Sequence, residues 1–256
     1  MNIRLIGLGL LTINLLVTAP AIWAQQAKSA PRRRLAATRA KEIGQKAIVL
    51  DETLSVLRPT PSLFAEPIQR MRRGREVKIL GVTDADGVKF FKVAAPPHNL
   101  GWVQADSLFG KFRASDEERL ARLVQASSGF EQIELTAFYF TLYPKSQFRP
   151  SILLLFGDLC QEIAVRLSRE ATSRLDRREM AASAAPFHSY YLNYVGLDRY
   201  RKLGITFRFN TATKTYYYDG GSWRELVNKF SSTPEAAEAR KRLNSIRTQT
   251  ESASQP

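Results

Sequence analysis

The chain is poor in the residues that most often build covalent and metal sites. Its 256 residues include one cysteine, Cys160, and two histidines, His98 and His188. A single cysteine excludes a disulfide within the chain, and so few sulfur and imidazole ligands argue against a Cys/His metal site. We therefore expect no metal and no other cofactor.

Acidic residues are also scarce. The sequence has 24 aspartates and glutamates against 38 lysines and arginines, which gives a formal net charge of +14. This imbalance favours anionic partners such as phospholipid head groups, nucleic acid or acidic wall polymers. The excess is densest at residues 25–42, where six basic side chains accompany one acidic side chain. The charge predicts the kind of partner, but it does not single out one basic face.

Residues 1–24 have the pattern of a secretory signal peptide. Arg4 precedes an apolar run at residues 5–17, and Ala19-Pro20-Ala21-Ile22-Trp23-Ala24 offers a cleavage site after Ala24. We expect an exported protein, periplasmic or extracellular, and therefore no nucleic-acid partner. The alternative is an uncleaved anchor, because residues 5–23 are just long enough to span a bilayer.

Residues 25–43 form a basic linker that is too polar to fold alone, so we expect it to be disordered. One interpretation is a solvated tether. The other is contact between residues 28–41 and an anionic membrane surface or polymer.

Short apolar runs separated by turn residues fill residues 44–110, too closely spaced to admit a helix. The runs include Ala47-Ile48-Val49-Leu50, Val56-Leu57-Arg58 and Gly101-Trp102-Val103. Glu76 to Ile79 alternates polar and apolar residues, as a half-buried strand does. The segment therefore reads as a small all-β domain.

Several spaced motifs of this segment resemble the bacterial SH3-like (SH3b) domain, and they cover about a quarter of the chain. They are Arg58, Pro61-Ser62, Gly74, Phe91-Lys92-Val93 and Gly101-Trp102-Val103. Thr60 departs from the usual glycine, and Phe90 stands where a tryptophan is common. The resemblance implies a small barrel that binds a peptide or a cell-wall polymer.

Four residues of this segment are candidates for a ligand groove: Arg58, Phe64, Phe90 and Trp102. Flat rings give contact area at low entropic cost, and small barrels bind extended ligands in aromatic-lined grooves. The alternative is that Phe90 and Trp102 fill the barrel and that Arg58 pairs with Glu66 or Asp51. Phe64, in a proline-flanked loop, is the ring expected to be most exposed.

Residues 114–247 change to helical periodicity. Ser115 and Glu118 form a capping-box pattern at the start of the first helix. Further helices are predicted over residues 130–143, 149–175, 187–203 and 222–230, with a hairpin at 205–218 and a last helix capped by Thr233. Residues 248–256 are expected to be a disordered tail.

The turn Tyr143-Pro144-Lys145-Ser146 is echoed by Phe230-Ser231-Ser232-Thr233. Each is an aromatic residue and a short polar turn before a helix, which resembles the turn between helices in tetratricopeptide-like repeats. The resemblance implies a degenerate helical-repeat domain that holds a protein partner. A plain helical bundle is the alternative.

The expected fold is multidomain: a small all-β SH3-like barrel followed by an α-helical, degenerate helical-repeat domain with a short hairpin. No nucleophile motif surrounds Cys160, which lies on the apolar side of a predicted helix, so we expect no catalytic residues and no Cys160–His188 dyad. The predicted function is an exported cell-envelope binding or scaffold protein. The alternatives are a cell-wall hydrolase with an unrecognised centre and a purely structural barrel that caps the helical domain.

Overall fold

An antiparallel sheet followed by helices makes up the protein in a computed structural model, which describes residues 40–96, 99–175 and 187–252. The predicted signal peptide with its cleavage site, most of the predicted linker and the end of the predicted tail lie outside these residues. Within these ranges, no helix is both long and apolar enough to cross a membrane.

The β region contains seven strands in chain order. They are β1 Lys46–Val49, β2 Val56–Leu57, β3 Gln69–Arg70, β4 Glu76–Ala85, β5 Val88–Ala95, β6 Asn99–Gln104 and β7 Leu108–Phe109. Five of them form one antiparallel sheet in the order β6-β5-β4-β1-β7, while β2 and β3 pair separately. In the described strands β6 and β7 do not pair with each other, so the sheet is open and not a closed barrel.

Alternation of side chains builds the core of this sheet. In β4, Val77 and Ile79 are buried while Glu76 and Lys78 are exposed, as the sequence pattern predicted. Phe91 and Val93 of β5 join Val77 and Ile79 in a single apolar cluster on one face. The opposite face of β1, β4, β5 and β6 is therefore the face that meets solvent, ligands or other segments.

A close approach between β2 and β6 depends on Gly101. The N–H of Arg58 donates to the carbonyl of Trp102 at 2.8 Å, and the N–H of Trp102 donates back at 2.7 Å. A Cβ on Gly101 would lie 2.8 Å from both the Arg58 carbonyl oxygen and Leu57 Cγ. The glycine of the Gly-Trp-Val motif thus allows two backbones to touch.

The second half of the chain contains seven α-helices among the described residues. They are α1 Asp116–Ala126, α2 Gly129–Leu142, α3 Arg149–Arg174, α4 Phe187–Leu192, α5 Asp198–Arg201, α6 Gly221–Lys229 and α7 Pro234–Ser252. The predicted hairpin is present as β8 Phe207–Asn210 and β9 Thr215–Tyr218. The Thr233 hydroxyl caps α7 by accepting from the Ala236 N–H at 3.3 Å. Helix α7 also continues into the segment predicted as a tail.

Two helix predictions were wrong. The helix expected over residues 187–203 is broken into α4, a 3-10 turn at Val195–Leu197 and α5. Its buried residues recur every three positions, which fits a 3-10 turn better than an α-helix: Tyr191, Tyr194, Leu197 and Tyr200. At the start of α1, the Ser115 backbone is already helical (φ −75°, ψ −14°) and its side chain makes no cap, because a capping residue needs non-helical backbone angles.

The two aromatic turns noticed in the sequence have the same local structure. Tyr143 ends α2, and its carbonyl accepts from the Ser146 N–H at 3.2 Å; Phe230 ends α6, and its carbonyl accepts from the Thr233 N–H at 3.0 Å. Each motif therefore joins the two helices of a helical hairpin: α2–α3 in one case and α6–α7 in the other.

A shared core joins the sheet to the first helices. Leu50 and Phe109 from the β region pack with Leu120, Leu135 and Tyr139 from α1 and α2. The basic turn before β4 also faces α2: Arg73 forms ion pairs with Glu131 and, at 3.2 Å, with Glu134. The strands and helices are held together by both apolar and ionic contacts.

Replacing Gly101 by alanine should destabilise the protein by about 1–3 kcal/mol, the usual range for forcing a methyl group into packed backbone. The matched control is Gly81→Ala in β4, where the new Cβ would lie at an ordinary 3.5 Å from Lys92 Cβ. Urea unfolding of both variants measures the difference. Equal stability of the two variants would contradict the proposed close approach.

Candidate functional site

The four predicted groove residues lie in different environments. Phe64 is 88% exposed, Trp102 is half-buried and Phe90 is completely buried. Phe90 and Phe91 are neighbours in β5 and point to opposite faces, yet both are buried. The prediction of Phe90 as a groove residue is therefore corrected: its ring is part of the packed interior.

Arg58 and the loop after it are occupied with internal contacts. The Arg58 guanidinium donates to the carbonyl of Ala65, not to Glu66 or Asp51. Asp86, in the β4–β5 turn, accepts from the Ser62 hydroxyl at 2.7 Å and from the Leu63 N–H at 2.8 Å. These contacts fix the base of the loop and leave Phe64 projecting into solvent.

A groove of about 740 Å³ crosses the five-stranded sheet, and its residues were not among the predicted ones. Strand register places Lys46 opposite Lys78, Lys78 opposite Ala94 and Ala94 opposite Leu100. We call these four residues, which cross four strands on the solvent face, the lysine row. Pro96 and Glu76 also line the groove. Its floor is apolar and its cations lie at one end.

The lysine pair in this row is electrostatically unfavourable. Cβ atoms of directly opposed residues in an antiparallel sheet lie about 5 Å apart, and like charges there destabilise the pair. Glu76 is exposed on the same face, but in the described ranges neither Lys46 nor Lys78 has a carboxylate within 4.0 Å. An anionic group bound between them would remove this repulsion.

The basic turn Arg72-Arg73-Gly74, by contrast, has no free cation at Arg73. Its backbone N–H donates to Glu52, its Nε donates to the Leu50 carbonyl at 3.0 Å, and its guanidinium pairs with two glutamates of α2. Only 11% of its side chain is exposed. Arg73 is a structural residue of the junction and not a ligand contact.

Cys160 and His188 lie in different environments, and among the described residues no hydrogen bond joins them. Cys160 is fully buried in α3, and burial raises the pKa of its thiol, with the nearby Asp219 charge acting in the same direction. His188 is exposed, and its Nδ1 lies 3.4 Å from the Thr211 hydroxyl. Nor do the residues that the structure describes contain a group of three or more His, Cys, Asp or Glu side chains suited to a metal ion.

No protein-family model, curated protein or solved structure matches the chain. The likenesses to SH3b domains and to tetratricopeptide-like repeats therefore rest on the sequence motifs.

Sequence reasoning missed the lysine row because its members are distant in the chain. The one local signal was the alternation of Glu76 and Lys78 with buried residues, which placed both side chains on the solvent-exposed face of the sheet. Strand register, which brings Lys46 beside Lys78, was not available from that pattern.

Lys78→Glu should stabilise the ligand-free protein by about 0.5–1 kcal/mol, because an opposite-charge pair with Lys46 replaces a like-charge pair. Lys89→Glu on the neighbouring strand is the control, since it loses an exposed ion pair with Asp84 at 3.5 Å and should be neutral or slightly destabilising. Thermal and urea unfolding measure both. A Lys78→Glu variant less stable than wild type would contradict the repulsion.

The Cys160 thiol should resist alkylation and disulfide exchange in the native protein at pH 8, because it is buried and its raised pKa suppresses the reactive thiolate. The same protein in denaturant should react within minutes, which serves as the control. Rapid reaction of the native thiol, followed by mass spectrometry, would show that the site is accessible.

Proposed function

We propose that the protein is an exported, non-enzymatic binding protein of the cell envelope, and that the lysine row is its ligand site. The observation that carries the proposal is the unpaired, directly opposed Lys46 and Lys78 above an apolar groove. A sheet that keeps two repelling cations on one face sacrifices stability there. Binding an anion is the simplest function that this arrangement serves.

The ligand suited to this groove is an extended peptide or a cell-wall polymer that carries carboxylates. Ala94, Pro96 and the 59% exposed Leu100 offer apolar contact, while the lysines offer charge. Apolar contact with a few placed polar groups is typical of ligand sites. Phe64 and Trp102 add exposed aromatic surface on the same β region.

An SH3-like barrel remains our interpretation of the β region. It is supported by the connectivity: β4, β5 and β6 form a meander, a 3-10 turn at Ala105–Ser107 follows, and β7 returns to pair with β1. A small Greek-key barrel can stay partly open in this way.

We assign the helical region to a protein partner. The helical hairpins α2–α3 and α6–α7 are each joined by the same type of aromatic turn, which supports a degenerate repeat. A second groove of about 480 Å³ lies where α3, the β8–β9 hairpin and α7 meet, with Val165 and Tyr217 in its wall. Concave surfaces between helical elements commonly hold partner segments.

Pelleting with isolated peptidoglycan and anisotropy with a labelled acidic peptide test the proposal. Wild-type protein should bind at least one of them at low salt, and Lys46→Glu/Lys78→Glu should bind about tenfold more weakly. The matched control, Lys89→Glu/Lys202→Glu, makes the same charge change at exposed positions away from the groove and should bind like wild type.

Two results would count against this function. If the groove and control variants lose binding equally, attraction is to net charge and not to the lysine row. If wild-type protein releases muropeptides from peptidoglycan, detected by mass spectrometry, and Cys160→Ala with His188→Ala does not prevent it, the alternative of a hydrolase with an unrecognised centre replaces the binding proposal.

A further inference from the structure

The groove on the sheet continues onto the helical region. A cavity of about 520 Å³ adjoins it and shares Gly44, Lys46 and Glu76 with it. A further cavity, of about 440 Å³, shares Lys111 and Leu142 with the 520 Å³ cavity. The shared walls make one path from Leu100 on β6 to Lys145 in the turn between α2 and α3.

Exposed lysines recur along this path. Lys46 and Lys78 lie in its first part, and Lys111 and Lys145 lie in its last part. Among the described residues none of the four has a carboxylate within 4.0 Å. The acidic side chains in the walls are Glu76 and Glu117, so the cations outnumber the anions along the path.

Apolar side chains lie between the cations. Ile48, Phe112 and Leu142 line the middle cavity, and Pro144 continues the apolar surface towards Lys145. The alternation of apolar and cationic surface matches a chain in which apolar and carboxylate side chains are interspersed. An extended peptide can present both kinds of side chain along one strand, which favours a peptide over a wall polysaccharide.

The two ends of the path are held in fixed relation at Gly110, beside Lys111. The Gly110 carbonyl accepts from the Tyr143 hydroxyl at 2.7 Å, and its N–H donates to Asp116 at 3.1 Å. A Cβ on Gly110 would lie 2.3 Å from the Phe112 ring, so the chain there is tightly confined. A groove that is already formed binds an extended ligand without the cost of ordering its walls.

We propose that this continuous path, which we call the junction groove, binds an extended acidic peptide from another protein across both regions of the chain. The inference rests on the proposed function. It adds the class of ligand and extends the binding site from the sheet onto the helical region. Four strand spacings from β6 to β7 amount to about 19 Å, which about six extended residues cover. A ligand that also reaches Lys145 is longer than this.

Charge disfavours two other occupants of the junction groove. The N-terminal segment at residues 25–42 carries six basic side chains and one acidic side chain, so the lysines repel it. A second copy of the chain has a net charge of +14, which also disfavours mutual binding.

Two labelled peptides of alternating leucine and glutamate, one of six residues and one of twelve, test the proposal by fluorescence anisotropy with the full chain. Three double variants are compared: Lys46→Glu/Lys78→Glu for the sheet half, Lys111→Glu/Lys145→Glu for the junction half, and Lys89→Glu/Lys202→Glu as the charge-matched control. Circular dichroism checks that each variant is folded, and all substituted lysines are exposed.

The expected result is that the longer peptide binds wild type more tightly than the shorter one. The junction-half variant should lose about fivefold or more of the affinity for the longer peptide and less than about twofold for the shorter one. The sheet-half variant should lose affinity for both peptides. The control variant should bind both peptides like wild type.

Three results would overturn the inference. If the junction-half variant binds the longer peptide like wild type while the sheet-half variant does not, the ligand is confined to the sheet and the proposed function alone stands. If neither peptide binds but peptidoglycan does, with the lysine row required, the ligand is a polymer. If no variant differs from wild type in any of these assays, the proposed function fails as well.

Discussion

Both backbone polar groups of Gly110 are hydrogen-bonded to the helical region, and the attachment of the sheet to the helices depends on these two bonds. Its N–H donates to Asp116 and its carbonyl accepts from Tyr143, so the end of β7 is bound to α1 and to the α2–α3 turn at once. Asp116 is fully buried and lies 2.8 Å from both Arg113 and Arg119. Burial raises the pKa of the Asp116 carboxyl, and the two guanidinium groups partly oppose that shift. Removing either cation would leave a buried charge poorly compensated.

Arginine and lysine have separate uses in this protein. Arg58, Arg73 and Arg113 are turned inward, where the planar guanidinium bonds backbone carbonyls and carboxylates at several points. Lys46 and Lys78 are exposed, and no carboxylate of the described residues lies within 4.0 Å of either. A formal charge of +14 therefore overstates what a ligand meets, because several of the arginines are already paired within the fold.

Much of the fold was accessible from local patterns. Alternation in β4, the Thr233 cap of α7 and the turns at Tyr143 and Phe230 each depend on neighbours within a few residues, and the structure has them as expected. The capping box predicted at Ser115 was wrong, because the Ser115 backbone is itself helical and its hydroxyl makes no cap. The long helix expected after residue 187 failed because burial of Tyr194 and Leu197 in the helical core favours a 3-10 turn.

The sequence by itself determined the strands, most helices, the exposed position of Phe64 and the excess of positive charge, because each follows from composition or from spacing along the chain. Tertiary structure alone decided which side chains share a surface. Phe90 is buried although its neighbour Phe91 already fills the opposite face, and Lys46 meets Lys78 only through strand register. Strand register and the burial of one sheet face by other segments are set by contacts between residues far apart in the chain, and no local pattern contains them.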